Sequence, residues 1–166
     1  ISIETRKEKT ESYSSVQGFF RRYELIYVAA DERDVIGART NSRGAQVYRY
    51  RLRMSRDQMR RAFLDYAGNL NARRNKPEFF NTLTRNCTTA MWEHLRCTPP
   101  VPPLSPSMIL SGYTPEYAYR IGLIDHSMPF DQLERRSLIN DLAVVADHAP
   151  DFSKQVRSRL IDPNGM

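Results

Sequence analysis

The usual signatures of metal, nucleotide and serine chemistry are missing from this chain. It has no HExxH, no CxxC pair, no Walker loop and no G-x-S-x-G elbow. Its three histidines are scattered, and no His/Asp/Glu cluster has ligand spacing, so no metal and no other cofactor is expected. Aromatic and basic residues do not interleave as in an RNA-binding module, so nucleic acid is not the expected partner. Two cysteines make no disulfide framework. If 87–96 is helical, Cys87 and Cys97 lie about 15 Å apart along its axis, too far to bridge. Both should be free thiols. No apolar run reaches the ~20 residues of a membrane span. The longest candidate, "LINDLAVVADHA", is interrupted by Asn140 and Asp141. No signal peptide is visible, and Ile1 falls in what reads as mid-strand, so a leader or earlier strands are expected to precede it.

What is present suits one folded domain. A length of 166 residues, 40% hydrophobic and 27% charged, is ordinary for a globular protein. The expectation is a single domain over 1–166, with 97–113 as a Pro-rich internal connector. "CTPPVPPLSP" alone holds five of the ten prolines. The net charge of +6 suits an anionic lipid surface, phosphorylated substrates or nucleic acid, or simply a solvated basic face.

"ISIETRK" alternates Ile1, Ile3 and Thr5 against Ser2, Glu4 and Arg6, which reads as a strand with one polar face. "YELIYVAA" (23–30) reads as a more buried strand that "DERD" ends. "AQVYRYRLR" (45–53) alternates too. Tyr48, Tyr50 and Leu52 take one face while Arg49, Arg51 and Arg53 take the other, toward phosphates or toward solvent. Ser55 and Gln58 form a capping-box pattern that starts a helix. Met59, Ala62, Phe63, Tyr66, Ala67 and Leu70 then make one core-facing stripe, and Pro77 forbids continuation. A second helix starts near Cys87, with Asn86 as its N-cap. Thr114, Pro115 and Gly122 punctuate a third helix, and 129–147 and 150–160 read as two more. The sum is α+β, with strands early and helices later.

Cys87 is the one residue whose setting points to chemistry. A free cysteine is most often a small buried apolar residue. In the first turn of a helix, however, unpaired N–H groups and the macrodipole favour an anion, and hence the thiolate. The same N–H groups suit the oxyanion of acyl transfer. Cys97, beyond the helix end, has neither advantage. A thiolate nucleophile wants a histidine base. His94 shares the helix face of Cys87 but lies about 10.5 Å along the axis, so it reads as a packed helix histidine. His126 and His148 sit at helix boundaries, where capping or exposure explains them. The residues alone supply a nucleophile and no base.

"ISIETRKEKTESYS", "GFFRRYELIYVAADERDVIGART", "YRYRLR" and "FFNTLTRNCTTAMWEHL" together resemble the Lnb N-terminal periplasmic domain family. The likeness runs on through "GYTPEYAYRIGLID", "MPFDQL" and "APDFSKQVRSRL". The resemblance implies a circularly permuted, NlpC-type papain-like domain. In it a small antiparallel sheet packs against a nucleophile-bearing helix, with further C-terminal helices. It implies an acyltransferase that moves an acyl chain from a lipoprotein's diacylglyceryl group to the amine of the N-terminal cysteine. "NCTT" then sets the nucleophile on Cys87, and the family's histidine belongs to a strand before "ISIE", upstream of Ile1. Glu4 would orient that imidazole; the alternative is a strand-face salt bridge to Arg6 or Lys7. Asn81 and Asn86 would fix the loop or polarise a substrate carbonyl, the alternative for Asn86 being a plain N-cap. Where the family often has tyrosine, this chain has Phe80.

The expected partner is a lipoprotein or phospholipid acyl donor at a membrane surface, and the expected place is the periplasmic side of the cell envelope. The basic strand at 49–53 would meet lipid phosphates, and the apolar side chains of "GFFRRYELIYV" would line an acyl groove or pack in the core. Two alternatives stay open. One is a papain-like amidase or peptidase acting on cell-wall peptide. The other is a non-enzymatic envelope-binding domain whose Cys87 is structural.

Overall fold

A computed structural model describes residues 1–6, 23–73, 78–81, 83–101, 103, 105–108 and 111–160. The expected groove residues before Tyr23, together with Lys7 and Pro77, lie outside the described residues. The chain is α+β and divides into two compact units, residues 1–29 with 54–121 and residues 30–53 with 122–166.

The first unit is built on a three-stranded antiparallel sheet of order β1 (Ser2–Arg6), β2 (Glu24–Val28) and β3 (Glu78–Phe79). Ile3 stands opposite Tyr27, Glu4 opposite Ile26 and Arg6 opposite Glu24. Side chains alternate across a strand, so Ile3, Leu25 and Tyr27 share one face. Helices α2 (Arg56–Arg73) and α3 (Cys87–Leu95) pack against β2 and β1 respectively. Tyr23, Leu25, Phe80 and Ala90 form the buried cluster, with Ile3 against it.

Helix α2 starts as its sequence requires. Gln58 N–H donates to Ser55 Oγ (3.2 Å), and Ser55 N–H donates to Gln58 Oε1 (2.8 Å). The expected core-facing stripe is only partly formed. Tyr66 touches Tyr27 and His94, whereas Met59 and Phe63 are 48% and 61% exposed. The helix engages its neighbours near its middle, and its early apolar residues stay outside the contact. Past α3 the proline segment is pinned to this unit: Gln58 Nε2 donates to the Pro99 carbonyl (2.7 Å) and Tyr117 Oη donates to that of Pro103. Helix α4 (Thr114–Arg120) has Tyr113, not Thr114, at its N-cap position, with proline in the first turn.

In the second unit "DERD" opens a helix where only a break was expected. Asp31 accepts from Arg33 N–H (2.8 Å) and caps α1 (Glu32–Thr40). The expected strand over 45–53 exists only as two isolated bridges, Tyr48 with Leu138 and Leu52 with Ile124. The same pairing divides the expected 129–147 helix into α5 (Phe130–Ser137) and α6 (Asn140–Val145). Leu138 is drawn into extended backbone as Arg49 N–H donates to Ser137 O (2.8 Å) and Ile139 N–H to Val47 O (3.0 Å). Only Phe152–Gln155, α7, is α-helical within 150–160. Ile36, Ile139, Ala143, Ala146, Phe152 and Val156 form this unit's apolar core.

Candidate active site

The approach to Cys87 is a short loop that closes on itself. Asn81 and Arg85 exchange both backbone hydrogen bonds, each at 2.9 Å. The Asn81 side-chain oxygen accepts from the N–H groups of Leu83 (3.0 Å) and Thr84 (2.9 Å), a side-chain substitute for a backbone turn. Arg85 then ties the loop to its surroundings. Its guanidinium donates to both carboxylate oxygens of Glu78 on β3, with Nε 2.5 Å from Oε1 and Nη2 3.0 Å from Oε2. It also pairs with Glu93 on α3, and Glu78 in turn pairs with Arg73 on α2. Burial opposes the charge on Arg85, but the bonds from Glu78 and Glu93 outweigh it and hold the group above its ordinary pKa. With its charge compensated in this way, Arg85 serves chiefly to hold the loop in place.

Asn86 sets the direction of α3. Its side-chain oxygen accepts from Thr88 and Thr89 N–H, both at 2.9 Å, and its own N–H donates to Thr89 Oγ1 at 2.9 Å. Its carbonyl accepts from Ala90 N–H (3.0 Å). Of the first four amides of the helix, only that of Cys87 is not taken by Asn86. Cys87 is the first residue of the helix and is exposed. Both cysteines are free.

The other thiol lives differently. Cys97 is partly buried, its Sγ–H donates to the His94 carbonyl (2.8 Å), and burial and then nearby Asp65 push its pKa up. His94 is 2% exposed and bonded through both ring nitrogens, Nδ1 to Asp65 Oδ2 (2.6 Å) and Nε2 to Tyr27 Oη (2.8 Å). Burial pushes the Tyr27 pKa up. A carboxylate only accepts, so Nδ1–H donates to Asp65, and Tyr27 Oη and Nε2 share the second hydrogen bond. The ring also lies 3.8 Å, centroid to centroid, from that of Tyr66. A histidine so committed is a joint between β2, α2 and α3, not a base for Cys87. His126 and His148 belong to the second unit.

The structure therefore brings Asn81, Asn86 and Cys87 into one loop-and-helix segment. Glu4 is not on the face that α3 covers. Ile3 meets the cluster containing Ala90, so the next residue turns to the opposite face, where Ser2 Oγ donates to Glu4 Oε1 (2.5 Å). Arg6 pairs across the strands with Glu24 (3.7 Å). Phe80 is 5% exposed inside the apolar cluster, where a ring without a hydroxyl needs no polar partner. Sequence spacing did not disclose the Tyr27–His94–Asp65 chain or the Arg73–Glu78–Arg85–Glu93 network. Their members come from separate elements, and the available signal was only a polar residue beside each apolar stripe.

A model of the Lnb N-terminal periplasmic domain matches residues 1–112. The chain belongs to that family. The match covers the paired strands β1 and β2, the Asn81–Asn86 loop and the whole of α3, and ends before α4. No curated protein and no solved structure gives a match. Membership in the Lnb domain family supports a periplasmic, envelope-related setting. Among the described residues no helix is long and apolar enough to cross a membrane.

Proposed function

We propose that this Lnb-family domain is a cysteine-dependent acyltransferase of the cell envelope with Cys87 as its nucleophile. The observation that carries the reading is an exposed thiol on the first residue of a nine-residue helix, whose next three amides, among the described residues, are those that bond to Asn86. The reading takes the fold as a circularly permuted, NlpC-type papain-like one. A cysteine-led helix packed on a small antiparallel sheet supports that assignment.

In the proposed cycle the Cys87 thiolate attacks the ester carbonyl of a lipidated donor, and the Cys87 N–H donates to the tetrahedral oxyanion. Collapse breaks the ester C–O bond and leaves an acyl thioester on Cys87. The alcohol leaves with a proton from an imidazolium. An acceptor amine then attacks the thioester, the C–S bond breaks, and the imidazole takes the amine proton. In this reading the imidazole comes from a strand before β1. Asn81 and Asn86 act by fixing the loop and the helix start.

The test is trapping. The protein in its own membranes is incubated with a diacylglyceryl lipopeptide, and a hydroxylamine-sensitive acyl group on Cys87, absent from Cys87→Ala, is expected by mass spectrometry. Turnover of cell-wall peptide without any acyl adduct would move the reading to an amidase. Iodoacetamide supplies the check against a purely structural thiol: Cys87 is expected to label rapidly in the native state and Cys97 slowly. Protection of Cys87 until unfolding would remove the enzyme reading altogether.

A further inference from the structure

A second feature lies in the other unit and is built partly from residues beyond the Lnb match. The segment ending at Arg53 is stitched down at both ends, Arg49 N–H to Ser137 O and Arg53 N–H to Leu123 O, each at 2.8 Å. Arg49 and Arg51 share one side by alternation. They line a recess together with Arg136 of α5 and Arg159, over a floor that includes Leu133, Ile139 and Val156.

Arg49, Arg136 and Arg159 are anchored by neighbouring groups. Arg49 pairs with Glu32, which also holds Arg157 (2.8 Å). Arg159 pairs with Asp141 and donates to the Leu138 carbonyl (3.0 Å), and Arg136 Nε–H donates to the Arg159 carbonyl (3.1 Å). A guanidinium has five N–H donors in a planar fork, more than one carboxylate occupies. Asp125 is the carboxylate that lines the recess, and Ser127 N–H (3.0 Å) and Oγ–H (3.1 Å) donate to it. Four arginines and one aspartate line the recess. An apolar floor strengthens their field at the mouth by keeping water off one side. The enclosed space is only about 20 Å³, room for one water-sized atom. An acyl chain does not fit. One oxygen of a tetrahedral oxyanion does, with its other oxygens left at the mouth for the arginine forks.

We infer that Arg49, Arg51, Arg136 and Arg159 form an anion site for a phosphate group, presented either by a lipid headgroup or as free phosphate. This stands apart from the Cys87 reading, because the recess belongs wholly to the other unit and needs no thiol.

The experiment titrates the protein with inorganic phosphate by calorimetry. In parallel it measures co-sedimentation with phosphatidylglycerol and with phosphatidylcholine vesicles. The double variant R51Q/R136Q removes two rim charges, and R135Q, whose exposed Arg135 pairs with Asp131 on the same helix and lies off the recess, removes bulk charge alone. Losing charge-assisted hydrogen bonds at the rim is expected to weaken binding roughly tenfold or more in R51Q/R136Q, with R135Q unchanged. Phosphate binding lost in the double variant, without vesicle preference, assigns free phosphate. Phosphatidylglycerol binding lost in the double variant assigns the headgroup. Equal losses in R135Q and R51Q/R136Q, or no binding in either arm, would overturn the site. If the double variant loses its native circular dichroism, R136Q alone decides by the same criteria.

Discussion

The two units bury different kinds of group. The unit of residues 30–53 and 122–166 closes over an aliphatic and aromatic core of Ile36, Ile139, Phe152, Val156 and two alanines. Among the described residues, the unit that carries Cys87 has an apolar cluster of Tyr23, Leu25, Phe80 and Ala90 and adds a fully buried histidine with both ring nitrogens bonded. Apolar burial stabilises without direction. A polar joint contributes less net energy but admits one geometry, since an unmade bond in it is expensive. The difference teaches where precision is kept: the unit with the candidate nucleophile aims its helix by buried hydrogen bonds and ion pairs, and the other surrounds an apolar core with arginine–carboxylate pairs.

The sharpest way to break that contrast is Phe152→Ala. Removing a ring that is 2% exposed is expected to cost about 3–5 kcal/mol, read by chemical denaturation with a probe in the second unit. A loss below about 1 kcal/mol would mean that packing is not what holds this unit. Asp65→Ala tests the polar joint. It leaves His94 Nδ1 buried without its partner, and a loss of about 1–3 kcal/mol is expected. Asp65→Asn, which keeps an acceptor oxygen, should recover part of it. A third variant, Asn86→Ala, strips the cap from α3 and is expected to cost about 1 kcal/mol. It should also slow iodoacetamide labelling of Cys87, because the helix start loses its fixed direction. An unchanged labelling rate would separate the cap from the reactivity of the thiol.

Acid should find the smallest difference. The Arg159 hydrogen bond holds Asp141 below the usual carboxylate range. Glu32 is lowered as well: burial opposes its charge, but bonds from Ser153 and Arg49 outweigh that. Groups lowered on folding stabilise fully above their unfolded pKa, and that contribution is lost as pH falls through the folded value. The second unit is therefore expected to weaken first below the ordinary carboxylate range. Burial raises Tyr27 and Tyr66 in the first unit and Tyr50 in the second. Tyr117 and Cys97 of the first unit are raised as well. These contributions are present below the ordinary pKa of each group and are lost as pH rises through the raised folded values, so alkali should weaken the first unit more. Far-ultraviolet circular dichroism across the acid range, with probes in both units, checks the order.

Within this molecule, several structures that close over three or four residues were legible in the sequence. The capping box of Ser55 and Gln58, Asn86 before Cys87, and the β1 alternation each depend on neighbours in the chain, because a cap bonds only two or three positions ahead. Asp31 carries the same local signal for α1, masked in the sequence by the run of charges that follows the β2 strand. What the order of residues left open was settled by partners far along the chain. Leu138 is extended because Tyr48 pairs with it, His94 is a joint because Asp65 and Tyr27 flank it, and Glu4 faces away because Ile3 packs under α3. The sequence by itself determined where α2 and α3 begin and that a cysteine leads the latter. Only the tertiary structure decided which charges converge and which imidazole is spent, since long-range pairs are chosen by packing and topology, which no local propensity encodes.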